Sequence, residues 1–403
     1  MKISNFNKIL TIFISFIFYL NLAISEEPNP SWITDFTREV GLESARGSRI
    51  ALYDINGDNY PDLLWSEGTT NKNRLHILLN VPNPDASSNI KRIFIEWTDS
   101  SGININRNPN KQGRIADIGA FVDVNNDGFP DLVSSIYYHR LQMYIDTLDP
   151  GDRSEVYLND GTGHFTLLPN NGLYQLGLVN TTGLGFLDYD LDGNLDLFMG
   201  QWFYDYANDK KQPSILLKGN GDGSFTKVNC NAISENYEPL YGVNITDWNN
   251  DGWQDIFTSP YCRSGGSLYT KTAKQDFVNW ATPANYSAQL MQGDNGQNLC
   301  QWEAQPADFD CDGDMDLLQV QVHGGYNENE GRTHISVNLG KDVDYRYQWE
   351  LDRLKRDAPS SSHLGDQGGE WFDLDGDGWL DVAIGQMAYP DANKQGQERL
   401  YIL

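Results

Sequence analysis

Nine residues recur six times along this 403-residue chain. They read DINGDNYPD from Asp54, DVNNDGFPD from Asp123, DYDLDGNLD from Asp188, DWNNDGWQD from Asp247, DFDCDGDMD from Asp308 and DLDGDGWLD from Asp373. The start-to-start intervals are 69, 65, 59, 61 and 65 residues. An even period of this size is the mark of a fold built from repeated units, each of which buries its apolar faces against its neighbours. It predicts one closed repeat domain instead of two or three independent ones.

Oxygen-bearing side chains stand at positions 1, 3, 5 and 9 of every copy. They are Asp54, Asn56, Asp58 and Asp62; Asp123, Asn125, Asp127 and Asp131; Asp188, Asp190, Asp192 and Asp196. The later copies give Asp247, Asn249, Asp251 and Asp255; Asp308, Asp310, Asp312 and Asp316; Asp373, Asp375, Asp377 and Asp381. Calcium is a hard cation that takes six to eight oxygens in a flexible cage, and a tight loop with alternating ligands supplies them. Glycine at position 6 permits the sharp turn. The first copy has Asn59 there, a residue that also tolerates left-handed geometry, and its site is expected to be the weakest. The pattern therefore predicts up to six bound Ca²⁺.

An EF-hand needs a bidentate Glu at position 12, followed by a helix. Position 12 here is Trp65, Ser134, Met199, Thr258, Gln319 or Ile384. Each loop leads instead into a short β-favouring run such as PDLLWS or LDLFMG. Each loop is thus expected to be a metal-filled hairpin turn between two strands.

The formal charge of −27 comes largely from these loops, and six Ca²⁺ would bring it to −15. Such a surface repels nucleic acid and anionic membranes. Lys2 and Lys8 precede an apolar run from Ile9 to Leu22, and Ala23-Ile24-Ser25 then offers a small-x-small cleavage site. Residues 1–25 are therefore expected to be a secretory signal and 26–403 a single domain, without membrane insertion. Secretion, or residence in the secretory-pathway lumen, is the expected localisation. Sequons at Asn180, Asn244 and Asn285 are candidate glycosylation sites. Of the four cysteines, Cys262 is expected to bridge Cys230 or Cys300 and to leave Cys311 free.

Each period has the same anatomy: a strand entering the loop, a strand leaving it, a long polar and aromatic connection, a third strand and a fourth. Turns such as Asn159-Asp160-Gly161 join the last two. Four antiparallel strands make one propeller blade. The expected fold is an all-β propeller of six four-stranded blades, with seven as the alternative. The run WITDFTREVGL from Trp32 is similar to HFTLLPNNGL, an outer strand with its lead-in, and is expected to complete the last blade.

Strings such as GLGFLDYDLDGNLDLFMG and SEVYLNDGTGHF resemble FG-GAP repeats, also called VCBS-type repeats, which build the propeller of integrin α subunits and of many secreted proteins. The lead-in to the first loop is similar to the opening of cartilage acidic protein-like proteins. The resemblance spans about residues 31–403 and implies calcium binding and adhesion or recognition. Integrin-type propellers have seven blades with loops in only some, and the cartilage acidic protein-like proteins usually carry a further C-terminal domain; this chain departs on both points.

Strand direction puts the metal loops on one face and the long connections on the other. The second face is expected to bind the ligand, through Tyr137, Tyr138, His139, Arg140, Trp202, Tyr204, Tyr261 and Tyr326. Aromatics among Asn, Asp and Gln suit a protein hot spot or sugar stacking. The six histidines show no metal-ligand spacing, and no GxSxG elbow is present. The expected role is a non-catalytic, calcium-stabilised extracellular recognition or adhesion module. The partner is an extracellular protein or, alternatively, a glycan; a carbohydrate-active enzyme on a propeller is the third reading.

Overall fold

The computed structural model describes residues 36–43, 45, 49–67, 74–110, 113–137, 152–260, 265–273, 275–286, 301–321, 333–351, 353–354, 364–388 and 399–403. Every nonapeptide is the turn of an antiparallel hairpin. In the first, β1 (Arg49–Tyr53) pairs with β2 (Asp62–Ser66) so that Tyr53 lies opposite Asp62. β3 (Leu75–Pro82) and β4 (Arg92–Glu96) extend the sheet in chain order.

The same meander repeats. The second blade is β5 (Ile118–Val122), β6 (Asp131–Ser135), β7 (Glu155–Asn159) and β8 (Phe165–Leu167). The third is β9 (Thr181–Leu187), β10 (Asp196–Gln201), β13 (Ile215–Gly219) and β14 (Phe225–Val228). A two-stranded ribbon, β11 (Phe203–Asp205) with β12 (Lys210–Lys211), is inserted in its long connection. The fourth runs β15 (Leu240–Thr246), β16 (Asp255–Pro260), β17 (Ser267–Thr272), β18 (Gln275–Asn279). The fifth runs β19 (Gln301–Ala307), β20 (Asp316–Gln321), β21 (His334–Asn338), β22 (Tyr347–Glu350). A C-terminal sheet has three strands, β23 (Leu364–Phe372), β24 (Asp381–Ala388) and β25 (Arg399–Ile402).

The chain is thus an all-β propeller of small antiparallel sheets. The blade count corrects the sequence reading: five sheets are four-stranded, where six or seven such blades were expected. The C-terminal sheet has three strands among the described residues; the segment expected to complete it, from Trp32, lies outside the described residues as far as Asp35.

The cores lie between sheets. A blade is covered on both faces, so β2, β6, β10, β16 and β20 are buried at every position and read as apolar runs without alternation. Ala51, Leu64 and Ile77 of the first blade pack on Phe121, Leu132 and Tyr157 of the second. Further clusters join the second to the third blade around Val133, Val156, Leu197 and Leu217, and the third to the fourth around Phe198, Leu216, Ile256 and Tyr269. Phe257, Leu268, Leu317 and Tyr347 join the fourth to the fifth, and Leu318, Val320, Val382 and Ile384 join the fifth to the C-terminal sheet. Each fully buried side chain of this size contributes about 1.5–3 kcal/mol. The other face of the first blade, with Leu63, Trp65 and Leu78, is covered by Leu42 and Ala45 of the preceding segment.

Candidate metal centre

The loops share an internal hydrogen-bond scheme. In five of them the position 1 carboxylate accepts the backbone N–H groups of residues four and five further on: Asp188 from Asp192 (3.0 Å) and Gly193 (2.9 Å), Asp247 from Asp251 (3.1 Å) and Gly252 (2.8 Å). In the remaining loop Asp308 accepts from Gly313 N, at 3.1 Å. The position 5 carboxylate accepts from the N–H two residues on, as Asp58 does from Tyr60 and Asp377 from Trp379, each at 2.9 Å. These turns need two left-handed residues. Position 6 is Asn59 (φ 66°) in the first loop and glycine in the others, as the sequence suggested. Position 4 is also left-handed, at Asn126, Leu191, Asn250 and Cys311 and at Gly57 and Gly376. Sequence reasoning missed this second requirement; Asn or Gly at four of the six copies was the available signal.

The position 9 aspartate sits at the root of the turn. Asp62, Asp131, Asp196, Asp255 and Asp316 are fully buried. One oxygen of each accepts the N–H of position 2 and the other accepts an N–H of the third strand. Asp196 takes Tyr189 N and Gly219 N, both at 2.8 Å. Asp131 takes Val124 N at 3.2 Å and Asn159 N at 2.9 Å. Burial outweighs these bonds and pushes the carboxyls up, to about 6 for Asp62, about 7 for Asp131, Asp196 and Asp316, and about 8 for Asp255.

Three loops bring carboxylate oxygens of positions 1, 3 and 9 within 4.8 Å of one another: Asp188, Asp190 and Asp196; Asp308, Asp310 and Asp316; Asp373, Asp375 and Asp381. These clusters could hold a metal ion. In the loops from Asp54, Asp123 and Asp247 position 3 is Asn56, Asn125 or Asn249, whose amide oxygen replaces the carboxylate. Two atoms support the fit. Asp190 Oδ1 and Asp308 Oδ1 are buried and accept no hydrogen bond, and a buried acceptor without a donor is a costly arrangement that a cation relieves. In the third loop Lys218 Nζ bridges Asp190 and Asp192, the latter at 2.6 Å.

Neighbouring loops are stapled. Asn159 Nδ2 of the second blade donates to the carbonyl of Ile55 in the first loop at 2.9 Å, and Asn338 Nδ2 donates to Trp248 O at 3.0 Å. Asn126 Nδ2 meets Asn194 Oδ1, and Asn250 Nδ2 meets Asp314 Oδ1, at 2.9 and 2.8 Å.

The ligand face expected from sequence is corrected in part. Trp202 is 1% exposed, packed edge-on against Tyr137 and Phe203 and tilted against Tyr241, which in turn meets Trp302. Tyr137 is half-buried in the same row, with Arg49 4.9 Å over its ring. Both therefore serve blade-to-blade packing. Tyr204 is half-buried on β11. Tyr138, His139, Arg140, Tyr261 and Tyr326 lie outside the described residues.

The sequon asparagines stand as follows. Asn180 is buried and its amide donates to Phe203 O at 2.7 Å. Asn244 Nδ2 donates to Gln305 Oε1 and Asn285 Nδ2 to Tyr347 O, and both side chains are half-buried. Cys230 is buried and free, which removes one of its expected pairings, and Cys311 is free as expected. Cys262 and Cys300 lie outside the described residues. No helix among the described residues is long and apolar enough to cross a membrane.

Loop and blade together define a β-propeller whose hairpin turns carry acidic nonapeptides. Residues 123–199 match the model of the FG-GAP-like repeat, and the propeller architecture accords with an FG-GAP repeat family. No curated protein matches the sequence. Among solved structures, the chain is similar to the Tc holotoxin pore of Photorhabdus luminescens at 14% identity and a TM-score of 0.36, covering 83% of this chain and 13% of that one. It is similar to the V. cholerae biofilm matrix protein Bap1 at 16% identity and a TM-score of 0.35, covering 78% and 40%. The exotype rhamnogalacturonan lyase YesX gives 12% identity and a TM-score of 0.36, covering 85% and 61%. The chain spans less than two thirds of the length of each of these three structures.

Proposed function

We propose that this chain is a secreted, calcium-stabilised recognition module, in which the ions fix the hairpin turns and the blades present a binding surface. The observation that carries this reading is the convergence of position 1, 3 and 9 carboxylates in three loops, two of them with a buried acceptor that no donor reaches. The oxygens of positions 1, 3, 5 and 9 would hold Ca²⁺ in each of the six loops. Calcium suits an all-oxygen, flexible ligand set better than Mg²⁺, which demands near-ideal octahedral geometry. Export rests on the signal-like run over residues 1–25, and millimolar extracellular calcium would fill even weak loops.

A binding role is favoured over catalysis because the loop carboxylates are committed to backbone N–H groups at two positions of every turn. The partner is read as protein ahead of glycan, since Trp202 and Tyr137 are engaged in packing and offer no open stacking platform.

Metal content per chain tests the reading. Mass spectrometry of the native protein after calcium loading and desalting should show several ions retained, and fewer in Asp192→Ala and Asp312→Ala. A chain that retains none would overturn it.

We also propose that the segment WITDFTREVGL from Trp32 completes the C-terminal sheet. Gly41 sits over Phe94 of the first blade as Gly172 sits over Phe225 of the third, which is the position of a lead-in that comes after an outer strand. Deleting residues 26–36 should lower the melting temperature by several degrees; an unchanged melt would argue against the closure.

A further inference from the structure

In each four-stranded blade one backbone N–H of the third strand donates to the position 9 aspartate. The donors are Asn80, Asn159, Gly219, Lys271 and Asn338. The residue just before each donor is Leu79, Leu158, Lys218, Thr270 or Val337. Of these five places, the one in the third blade carries a charge. Lys218 is half-buried there, as Val337 is in the fifth blade. Its ammonium reaches across the turn and bridges the position 3 and position 5 carboxylates of the third loop, Asp190 and Asp192, the latter at 2.6 Å.

Those two carboxylates belong to the oxygen set proposed for Ca²⁺, and Asp190 also converges with Asp188 and Asp196. An ammonium offers three N–H donors and a single charge. Here it engages one oxygen of Asp190 and leaves Asp190 Oδ1 buried without a donor. The loop carries four carboxylates, so the lysine offsets only part of their charge. A divalent ion drawing on the same carboxylates meets the ammonium as a like charge close by, and the repulsion weakens its binding. The first loop uses the same device from another strand. Arg92, on β4, donates from Nη2 to the position 5 carboxylate of Asp58 at 2.7 Å and from Nε to Asn80 Oδ1 at 2.9 Å. The fifth loop has the same four-carboxylate set as the third, with Val337 in the place of Lys218.

We propose that Lys218 is a tethered competitor of Ca²⁺: it holds the carboxylates of the third loop when calcium is scarce and gives them up as calcium rises. The third loop therefore fills at a higher calcium concentration than the fifth. The inference rests on the reading of the loops as calcium sites and names a residue that sets their order of filling.

Native mass spectrometry of the full chain across a series of free calcium concentrations tests it, with Lys218→Met as the uncharged variant of similar length. The third loop of the variant should half-fill at a calcium concentration about three- to tenfold lower than in the parent, the effect of losing two partly exposed ion pairs. This is read as one extra ion per chain at limiting calcium. Adding Asp192→Ala to Lys218→Met should remove the extra ion, which places it in the third loop. In EDTA, Lys218→Met should melt below the parent, and saturating calcium should close the gap. Equal ion counts in Lys218→Met and the parent at every calcium concentration, an extra ion that survives Asp192→Ala, or a loss of melting temperature that calcium leaves unchanged would overturn the competition while the calcium sites stand. No ion retained by parent or variant at any calcium concentration would overturn the reading of the loops beneath it.

Discussion

A β-carbon on Gly172 would lie 1.9 Å from the carbonyl oxygen of Phe225. Gly172 is left-handed (φ 78°), and the preceding Asn171 carbonyl accepts the Phe225 N–H at 3.0 Å. The chain leaving one blade therefore crosses directly over the outer strand of the next. Gly102 over Phe165 (2.5 Å) and Gly41 over Phe94 (2.6 Å) repeat the contact. Three crossings are in this sense written into single glycines, and at the crossing over Tyr347, whose N–H donates to Ala284 O, the left-handed residue is Asn285 (φ 58°).

Gly172→Ala should accordingly cost more than the roughly 1–2 kcal/mol of a left-handed alanine alone, because the backbone of Phe225 must also move. Gly177 (φ 79°, ψ −146°) has no atom within 4 Å of its virtual Cβ, so Gly177→Ala should cost only the strain of its own backbone, about 1–3 kcal/mol. Urea denaturation of the two variants measures the difference; equal costs would contradict the crossing.

Asp192 and Asp196 belong to one loop and should behave differently. Asp196 is buried and accepts two backbone N–H groups, so Asp196→Ala should destabilise by about 3 kcal/mol or more whether or not calcium is present. Asp192 holds the Lys218 ammonium and one N–H near the surface, and Asp192→Ala should lower stability only in calcium. A calcium-independent loss from Asp192→Ala would remove it from the proposed ligand set.

Glu370, on β23, is pushed up to about 8 by burial first and by the neighbouring Glu303 second. The folded state therefore binds its proton more tightly than the unfolded chain does. The stabilising contribution is full below the unfolded value of about 4.3 and is lost as pH rises through about 8. Glu370→Gln should leave the melting temperature unchanged at pH 4 and raise it at pH 8.5. The same shift at both pH values would mean that the carboxyl is not buried in the folded chain.

Much of this fold was legible because a short apolar strand and a metal-like turn leave strong local marks. The six hairpins, the third strands and the glycine or Asn59 at position 6 stand where the nonapeptides put them. The loops also announced their carboxylate clusters, since ligand spacing is a local property. The readings that failed were non-local. Trp202 and Tyr137 look like an exposed aromatic face in one dimension, yet a propeller needs large rings between blades, and only the blade-to-blade packing against Tyr241 and Trp302 shows which use prevails.

The most direct test of calcium as the element that fixes these turns is a thermal melt of the chain, once with excess EDTA and once with millimolar CaCl₂. Binding to the folded state alone predicts a melting temperature higher in calcium by ten degrees or more, roughly the gain of several sites each contributing RT ln(1 + [L]/Kd). Coincident melts in the two solutions would contradict the account.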